Sequence, residues 1–301
     1  MMIKTKVWIR AARLRTLPLS VSGIIVGNAL SLSDNSFSWT LFLLMLLTAM
    51  SFQIISNLAN DYGDGIKGTD NDARLGPERV FQAGLLSKTE LKNGIFISCV
   101  LALILAITLI FLAFGASSLF YLGIFLSLSF LSVWAAISYT VGDGAYGYRG
   151  LGDLFVLLFF GGLSVLGSYF VQLKTIDLRE VLFAVVIGFL SVGVLNLNNM
   201  RDRENDAAVG KRTLAVFLGK GKAKLYHLFL IGGAIVVLFG VFYTAELKYF
   251  WLPLLIILPL AWHMKVVINN KLPKNLDPEL KNLALSTFFL SVLIFITLQL
   301  G

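Results

Sequence analysis

The chain has 301 residues, of which 57% are hydrophobic and 14% are charged, and its mean hydropathy is +0.82. This composition excludes an ordinary soluble domain, because soluble proteins carry about 25% charged residues. We interpret the formal net charge of +8 as a signal of membrane orientation rather than of nucleic-acid binding. We therefore expect a lipid bilayer, and no nucleic acid, as a partner. The two histidines are too few for a His-based metal cluster.

Nine apolar segments, each close to the roughly 20 residues that cross a hydrocarbon core, predict nine membrane-spanning helices. They lie at residues 17–32, 38–60, 94–114, 117–141, 154–173, 181–199, 225–245, 249–264 and 283–300. The eighth segment contains Pro253 and Pro259, which predict a kinked helix. The pattern predicts an all-α integral membrane bundle that forms one transmembrane domain over residues 1–301.

Lysine and arginine are distributed unevenly over the predicted loops. Of the 25 Lys and Arg residues, only Lys174, Arg179 and Lys248 fall on one side of the bundle. Since cationic loops stay in the cytoplasm, we expect a protein of the cell membrane with a cytoplasmic N-terminus and an external C-terminus. Arg13 and Arg15 are expected to face lipid headgroups, with contact to an anionic substrate as the alternative.

Two acidic segments follow the second and the sixth predicted spans, which places both on the cytoplasmic side. The first contains Asp61 and Asp64, and the second contains Asp202 and Asp206. On helices that continue past the membrane surface, each pair would share one face. Carboxylates crowded together repel one another, and Mg²⁺ shared with a diphosphate removes that penalty. We predict that these four residues bind Mg²⁺; the alternative is two solvated loops that only terminate helices.

Asparagines precede both acidic segments in an Asn-Leu-x-Asn pattern at residues 57–60 and 196–199. The shared pattern predicts a parallel internal repeat with a site between its halves. Asn57 and Asn60 are predicted to bind substrate, either by orienting the carboxylates or by ligating the metal through their carbonyl oxygens. Hydrogen bonding between helices is the alternative.

Basic residues lie close to each acidic segment in the sequence. Arg74 and Arg79 follow the first, and Lys211 and Arg212 follow the second. Because guanidinium and ammonium groups bind phosphate oxygens, Arg79 and Lys211 are predicted to contact a diphosphate. Ordinary cytoplasmic cations would look the same in the sequence.

A third polar segment, residues 139–153, is rich in glycine and also lies on the cytoplasmic side. Its tyrosines could stack on an aromatic substrate or stabilise a carbocation, or they could form an interfacial aromatic belt. Its charged residues are expected to form an ion pair at the entrance to a span. The candidates in this segment are Tyr139, Tyr146, Tyr148, Arg149 and Asp153.

The motifs Asn60-Asp61-x-x-Asp64 and Asp202-x-x-x-Asp206 resemble the paired motifs of the UbiA-type intramembrane prenyltransferases. The stretches at residues 13–18, 74–84, 146–153 and 210–216 are similar to the branch that acts on 1,4-dihydroxy-2-naphthoate in menaquinone biosynthesis. One departure from the wider family is Gly68, which stands where a third Asp is often found, with Asp70 two residues later. The departure favours the naphthoate branch and leaves open whether Asp70 or Asp72 contacts metal.

The resemblance implies a bundle with a central cavity open to lipid, in which Mg²⁺ and the four Asp residues hold a polyprenyl diphosphate. It implies prenyl transfer to 1,4-dihydroxy-2-naphthoate with loss of diphosphate and CO₂. Catalytic roles follow for the four Asp residues, with Arg149 and Asp153 shaping the acceptor side beside Tyr148. The alternatives are phytyl, 4-hydroxybenzoate or haem prenyl transfer, and a cation transporter, which would need charges at mid-membrane depth. Prenyl length, Mg²⁺ versus Mn²⁺ and oligomeric state stay open.

Overall fold

The computed structural model describes residues 4–32, 36–71, 74–116, 118–243 and 248–300, so Asp72 lies outside the described residues. Within these ranges the chain is helical apart from its connections. The main helices are α1 (Lys4–Ala12), α2 (Leu17–Ser31), α3 (Trp39–Ile66), α4 (Lys88–Phe114), α5 (Leu119–Ser138), α6 (Gly152–Leu173), α7 (Leu178–Ala208), α8 (Leu214–Tyr243), α9 (Trp251–Asn269) and α10 (Asp277–Leu300).

The nine predicted spans correspond to α2 through α10, which confirms the all-α bundle. Eight of the described helices, α3 to α10 (the last counted from Pro273), are long and apolar enough to cross a membrane. Helix α2 is shorter, with 15 residues, and most of its side chains are buried by its neighbours. The predicted kink is present in α9, where the helix is interrupted between Leu254 and Ile257. The sequence interpretation missed α1, a nine-residue helix that buries Val7 and Ala11.

Helix α2 packs very closely on α6 because glycines face the contact. A Cβ atom added to Gly23 would lie 2.8 Å from the carbonyl oxygen of Phe160, and one added to Gly27 would lie 2.3 Å from that of Val165. Small residues spaced four apart allow such an approach in membrane bundles. Residues 157–167 of α6 form a π-helix at this contact, a widened helix that is frequent at functional sites.

Helices α3 and α7 continue past the predicted spans, and both end in the same turn. Gly68 and Gly210 adopt left-handed conformations, with φ of 71° and 77°. The backbone N–H of the next residue donates to Asp64 O at 3.0 Å in the first turn and to Asp206 O at 2.8 Å in the second. Both turns are Schellman motifs, in which glycine is preferred because a Cβ is unfavourable there. The departure at Gly68 therefore has a structural reason.

The two turns also define the register of the internal repeat. Since Gly68 matches Gly210, Asp64 matches Asp206 and Asn57 matches Asn199. The Asn-Leu-x-Asn pattern would have matched Asn57 with Asn196, so the structural repeat is displaced by three residues from the sequence pattern. The repeat places both acidic helix ends at the same end of the bundle.

Candidate active site

A cavity of about 470 Å³ lies between helices α2 to α7 and α10. Its charged end is lined by Arg13, Asp64, Arg74, Arg79, Arg201, Lys211 and Asp277. The remainder of its wall is largely apolar and includes Ile24, Met45, Ile110, Phe125, Phe159 and Val171. A cavity of this kind fits an amphiphile with an anionic head and a hydrocarbon tail.

Asp64 lies at the centre of the charged end. Its buried carboxylate accepts hydrogen bonds from the Tyr148 hydroxyl at 2.7 Å and from Arg79 Nη2 at 3.2 Å. The Lys211 ammonium lies 3.8 Å from Asp64 Oδ1, the oxygen that accepts from Tyr148. Asp64 is thus held by groups from three separate segments of the chain.

Lys211 joins the two acidic helix ends. Its Nζ lies 3.7 Å from Asp206 Oδ1 as well as 3.8 Å from Asp64 Oδ1. A second link is the amide of Asn205, which donates to the Thr69 carbonyl at 2.9 Å. These contacts confirm the prediction that both acidic segments lie on one face of the bundle.

The basic residues of the charged end remain cationic in spite of their burial. Burial alone would lower the pKa of Arg79, but the carboxylates of Asp64, Asp70 and Asp61 outweigh it and raise that pKa. Burial likewise lowers the pKa of Lys211, and Asp64 and Asp206 outweigh it. Arg79 and Lys211 are therefore charged groups in the cavity wall, and their contact with a diphosphate stays a prediction.

Asp70 lies between two guanidinium groups. Arg74 Nε is 3.1 Å from its Oδ1, and Arg79 Nε is 3.1 Å from its Oδ2. Burial raises the pKa of Asp70, and the nearby charge of Asp64 adds to this effect. As the side chains stand, Asp70 acts as a counterion for the two arginines.

Arg13 lies in the cavity wall, in a left-handed backbone conformation with φ of 48°. Burial, with the like charge of Arg79, lowers its pKa to about 9, and its Nη2 has no hydrogen-bond partner among the described residues. This placement favours the anionic-substrate alternative for Arg13 over the headgroup expectation. Arg15 also lines the cavity, although it is exposed.

Asp61 and Asn57 lie behind the cavity wall. The Asp61 carboxylate accepts hydrogen bonds from the backbone of Val80 and Phe81. The Asn57 amide donates to the Ala12 carbonyl at 2.8 Å and so fastens the end of α1. Asn57 thereby makes the helix-to-helix contact that was the alternative to a substrate role.

Asn60 and two of the candidate tyrosines, Tyr139 and Tyr146, line the cavity near Asp64. Asn60 and Tyr139 line the wall, and Asn60 accepts a hydrogen bond from Thr140 Oγ1 at 3.3 Å. Tyr146, also in the wall, donates to the Ala135 carbonyl at 2.9 Å and stacks on Phe155 with ring centroids 3.9 Å apart. Burial raises the pKa of Tyr146 above its usual range, so its hydroxyl stays protonated.

The expected ion pair between Arg149 and Asp153 is wrong. Arg149 is exposed and donates to the Asp143 carbonyl at 3.3 Å, whereas the buried Asp153 is hydrogen-bonded to the side chain of Tyr226. The physical reason is Gly150, whose left-handed conformation, with φ of 78°, turns the chain between the two residues.

Arg201 and Asp277 belong to the site but were missed. Arg201 is buried and donates to Asp202 from Nε at 2.9 Å and from Nη2 at 2.6 Å. Its Nη1 lies 2.5 Å from Asp277 Oδ1. In the sequence, Arg201 looks like any cytoplasmic cation, and Asp277 looks like an ordinary acid in the first turn of a helix.

The donor set suits Mg²⁺, although Asp64, Asp202 and Asp206 are now paired with cations. In the described ranges, no three acidic, Cys or His side chains lie close enough to share one metal ion. Arg74, Arg201 and Lys211 contact the carboxylates instead. Buried oxygens of Asp61 and Asp206 lack hydrogen-bond partners among the described residues. Hard oxygen donors of this kind fit Mg²⁺ if the cations turn toward a phosphate.

Comparisons with known proteins show the family to which the chain belongs. The UbiA prenyltransferase family matches residues 20–293. The 1,4-dihydroxy-2-naphthoate octaprenyltransferase of Escherichia coli (strain K12) is 42% identical over 280 residues, which cover 92% of this chain and 90% of that protein. The enzyme of the same name from Haemophilus influenzae is 39% identical over 304 residues, covering 99% and 97% of the two chains.

Among solved structures, a UbiA homolog from Archaeoglobus fulgidus bound to DMAPP and Mg²⁺ shares the fold. Its TM-score is 0.68 at 15% identity, over 98% of this chain and 99% of that one. From the family match and the two enzymes, we conclude that this chain belongs to the UbiA prenyltransferase family.

Proposed function

We propose that this chain transfers a polyprenyl group from an allylic polyprenyl diphosphate to 1,4-dihydroxy-2-naphthoate in menaquinone biosynthesis. The products would be demethylmenaquinol, diphosphate and CO₂. Two relatives that carry this activity in their names are 42% and 39% identical over more than nine-tenths of the chain. The structural observation behind the proposal is the cavity, which combines a charged end with a long apolar wall.

The charged end would hold the diphosphate through a divalent metal and basic side chains. Asp61, Asp64, Asp202 and Asp206 would bind Mg²⁺, as the donor chemistry favours. A UbiA homolog of the same fold was solved bound to DMAPP and Mg²⁺, which supports the use of a divalent cation. When bound, Mg²⁺ would neutralise charge that develops on the leaving diphosphate.

The residues of the chain would promote departure of the diphosphate. Arg79 and Lys211 now contact Asp64 at 3.2 and 3.8 Å, so short side-chain movements would bring both cations to phosphate oxygens. The allylic C–O bond would break with its electron pair on the diphosphate. Cations placed where this charge develops lower the barrier.

The tyrosine side of the cavity would bind the acceptor. Tyr139 and Tyr146 present aromatic surfaces to the wall, which can stabilise an allylic cation. The ring carbon that bears the carboxylate would form the new C–C bond to the allylic cation. The electron pair of its C–CO₂ bond would then return to the ring as CO₂ leaves, which restores aromaticity. Arg149 and Asp153 would act indirectly, by holding the loop that carries Tyr146 and Tyr148.

We place the protein in the cell membrane with its N-terminus and both acidic helix ends in the cytoplasm and its C-terminus outside. The charge distribution supports this orientation. The polyprenyl chain would reside in lipid, since each buried CH₂ contributes about 0.8 kcal/mol. The anionic acceptor would arrive from the cytoplasm.

The test is prenyl transfer by the purified protein in lipid nanodiscs, with octaprenyl diphosphate and 1,4-dihydroxy-2-naphthoate. We expect a demethylmenaquinol product and CO₂ with Mg²⁺, and neither product when a chelator replaces it. A parallel reaction with 4-hydroxybenzoate is the acceptor control. Transfer to that acid alone would overturn the acceptor, and unchanged turnover in chelator would overturn the metal.

A further inference from the structure

Arg201 binds the carboxylate of Asp202, and a metal ion would have to displace Arg201 in order to bind that carboxylate. Both of its carboxylate oxygens accept hydrogen bonds from Arg201, at 2.9 and 2.6 Å. Arg201 is itself buried, with 3% of its side chain exposed. A buried guanidinium that loses its partner is strongly unfavourable. If Asp202 turns to a metal, Arg201 therefore needs another anion.

Asp277 is placed to be that anion. Its Oδ1 lies 2.5 Å from Arg201 Nη1, on the side of the guanidinium away from Asp202. The side chain of Asp277 is 36% exposed, so its own ionisation costs less desolvation than that of Asp202. It also stands in the first turn of α10, where a helix stabilises a negative charge.

A buried polar chain fixes the first turns of α10 beside Asp277. Glu279 is buried, with one oxygen 2.5 Å from His263 Nδ1 and the other accepting from Asn282 Nδ2 at 3.0 Å. His263 Nε2 in turn lies 2.9 Å from His227 Nε2. These contacts tie α10 to α9 and α8 and so hold the backbone that carries Asp277.

We propose that Asp277 is a positioning residue for the metal site: it retains Arg201 when Asp202 turns from Arg201 to the metal. The inference rests on the proposed function, because it takes Asp202 to be a metal ligand. Without the Asp277 charge, Arg201 would have Asp202 as its sole carboxylate partner among the described residues and would compete more strongly with the metal.

The experiment measures metal binding without turnover. Mn²⁺ is titrated into the purified protein in nanodiscs with inorganic diphosphate, and bound metal is followed by electron paramagnetic resonance. We expect Asp277→Asn to need about tenfold more Mn²⁺ for half-saturation, a coupling of ordinary size. Asp277→Glu should restore most of the binding. Glu204→Gln is the matched control. It removes one negative charge from the end of α7 that carries Arg201, but Glu204 pairs with Arg203 and not with Arg201.

Arg201→Met tests the competition between Arg201 and the metal for Asp202. Removal of the guanidinium should lower the half-saturating Mn²⁺ concentration, and Asp277→Asn should have no further effect in the Arg201→Met background. A merely structural role of Asp277 would weaken binding in both backgrounds and would overturn the inference. So would unchanged binding in Asp277→Asn. Absence of metal binding by the wild-type protein would instead overturn the metal site of the proposed function, and this inference with it.

Discussion

The ends of helices α3 and α7 have the same backbone conformation but carry different side chains. Each helix ends in a Schellman turn at Gly68 or Gly210, with an aspartate four residues earlier. The residue after the glycine is Thr69 in one and Lys211 in the other. Lys211 reaches back across the site to Asp64, the aspartate of the opposite helix. The two halves therefore complement each other: one adds a cation that the other lacks.

The comparison also separates the four candidate metal ligands into two classes. Asp64 and Asp206 occupy equivalent positions, whereas Asp61 matches Arg203 and Asp202 matches Asn60. The equivalent pair faces Lys211 from both sides. Asp61 is instead held by backbone N–H groups of its own half. Asp202 is bound at 2.6 Å by Arg201 of its own half, and Arg74 of the first half lies 3.8 Å away.

The largest expected effect is loss of turnover on neutralising the equivalent pair. Asp64→Asn and Asp206→Asn should each lower kcat by about a thousandfold, because metal-assisted charge stabilisation is worth several kcal/mol. Asp202→Asn is expected to abolish turnover similarly. Initial rates of prenyl transfer at saturating Mg²⁺ measure this, with Glu204→Gln as the control. Near wild-type rates in Asp64→Asn and Asp206→Asn would remove both residues from the metal site.

Lys211→Met sharpens the comparison by removing the cation that one half supplies to the other. We expect kcat/KM for the prenyl diphosphate to fall by about a hundredfold, since removing one group that stabilises developing negative charge lowers the rate by about 10²–10³. Lys222→Met is the matched control, because Lys222 is exposed. Equal kinetics in the two variants would contradict a diphosphate role for Lys211.

Tyr148→Phe tests a contact that exists in the first half alone. The variant loses the hydrogen bond from the tyrosine hydroxyl to Asp64 and keeps the ring beside Lys67, whose Nζ is 4.2 Å from the ring centroid. A hydrogen bond to a charged group contributes about 1.5–3 kcal/mol, so we expect at least about a tenfold loss of kcat/KM. Asp64→Asn should mask the effect when the two are combined. Additive losses of kcat/KM would show that Tyr148 does not act through Asp64.

The number and order of the membrane helices could be predicted because bilayer thickness fixes the length of an apolar span. The positions at which α3 and α7 end could not be predicted, since polar residues such as Asn60 and Asp64 are equally compatible with a loop and with a helix. Arg201 and Asp277 form a pair that has no local signal in the sequence, because 76 residues separate them. For Arg149 and Asp153 the opposite error occurred: their close spacing in the sequence predicted an ion pair, and the turn at Gly150 prevents that contact.

The smallest expected effect tests whether the two turns are truly equivalent. At both Gly68 and Gly210 an added Cβ meets nothing within 4 Å, so Gly→Ala strains the backbone without a steric clash. The left-handed conformation costs an L-residue about 1–2 kcal/mol, and the free energy of unfolding should fall by about that amount in each variant. Gly221→Ala is the control, since its Cβ site is equally open and lies in helix α8, where alanine is favoured. Denaturant unfolding in detergent gives the three values. Similar losses at Gly68 and Gly210 are expected because each glycine closes the same turn; a loss at one alone would mean that the second aspartate is positioned by its side-chain contacts instead.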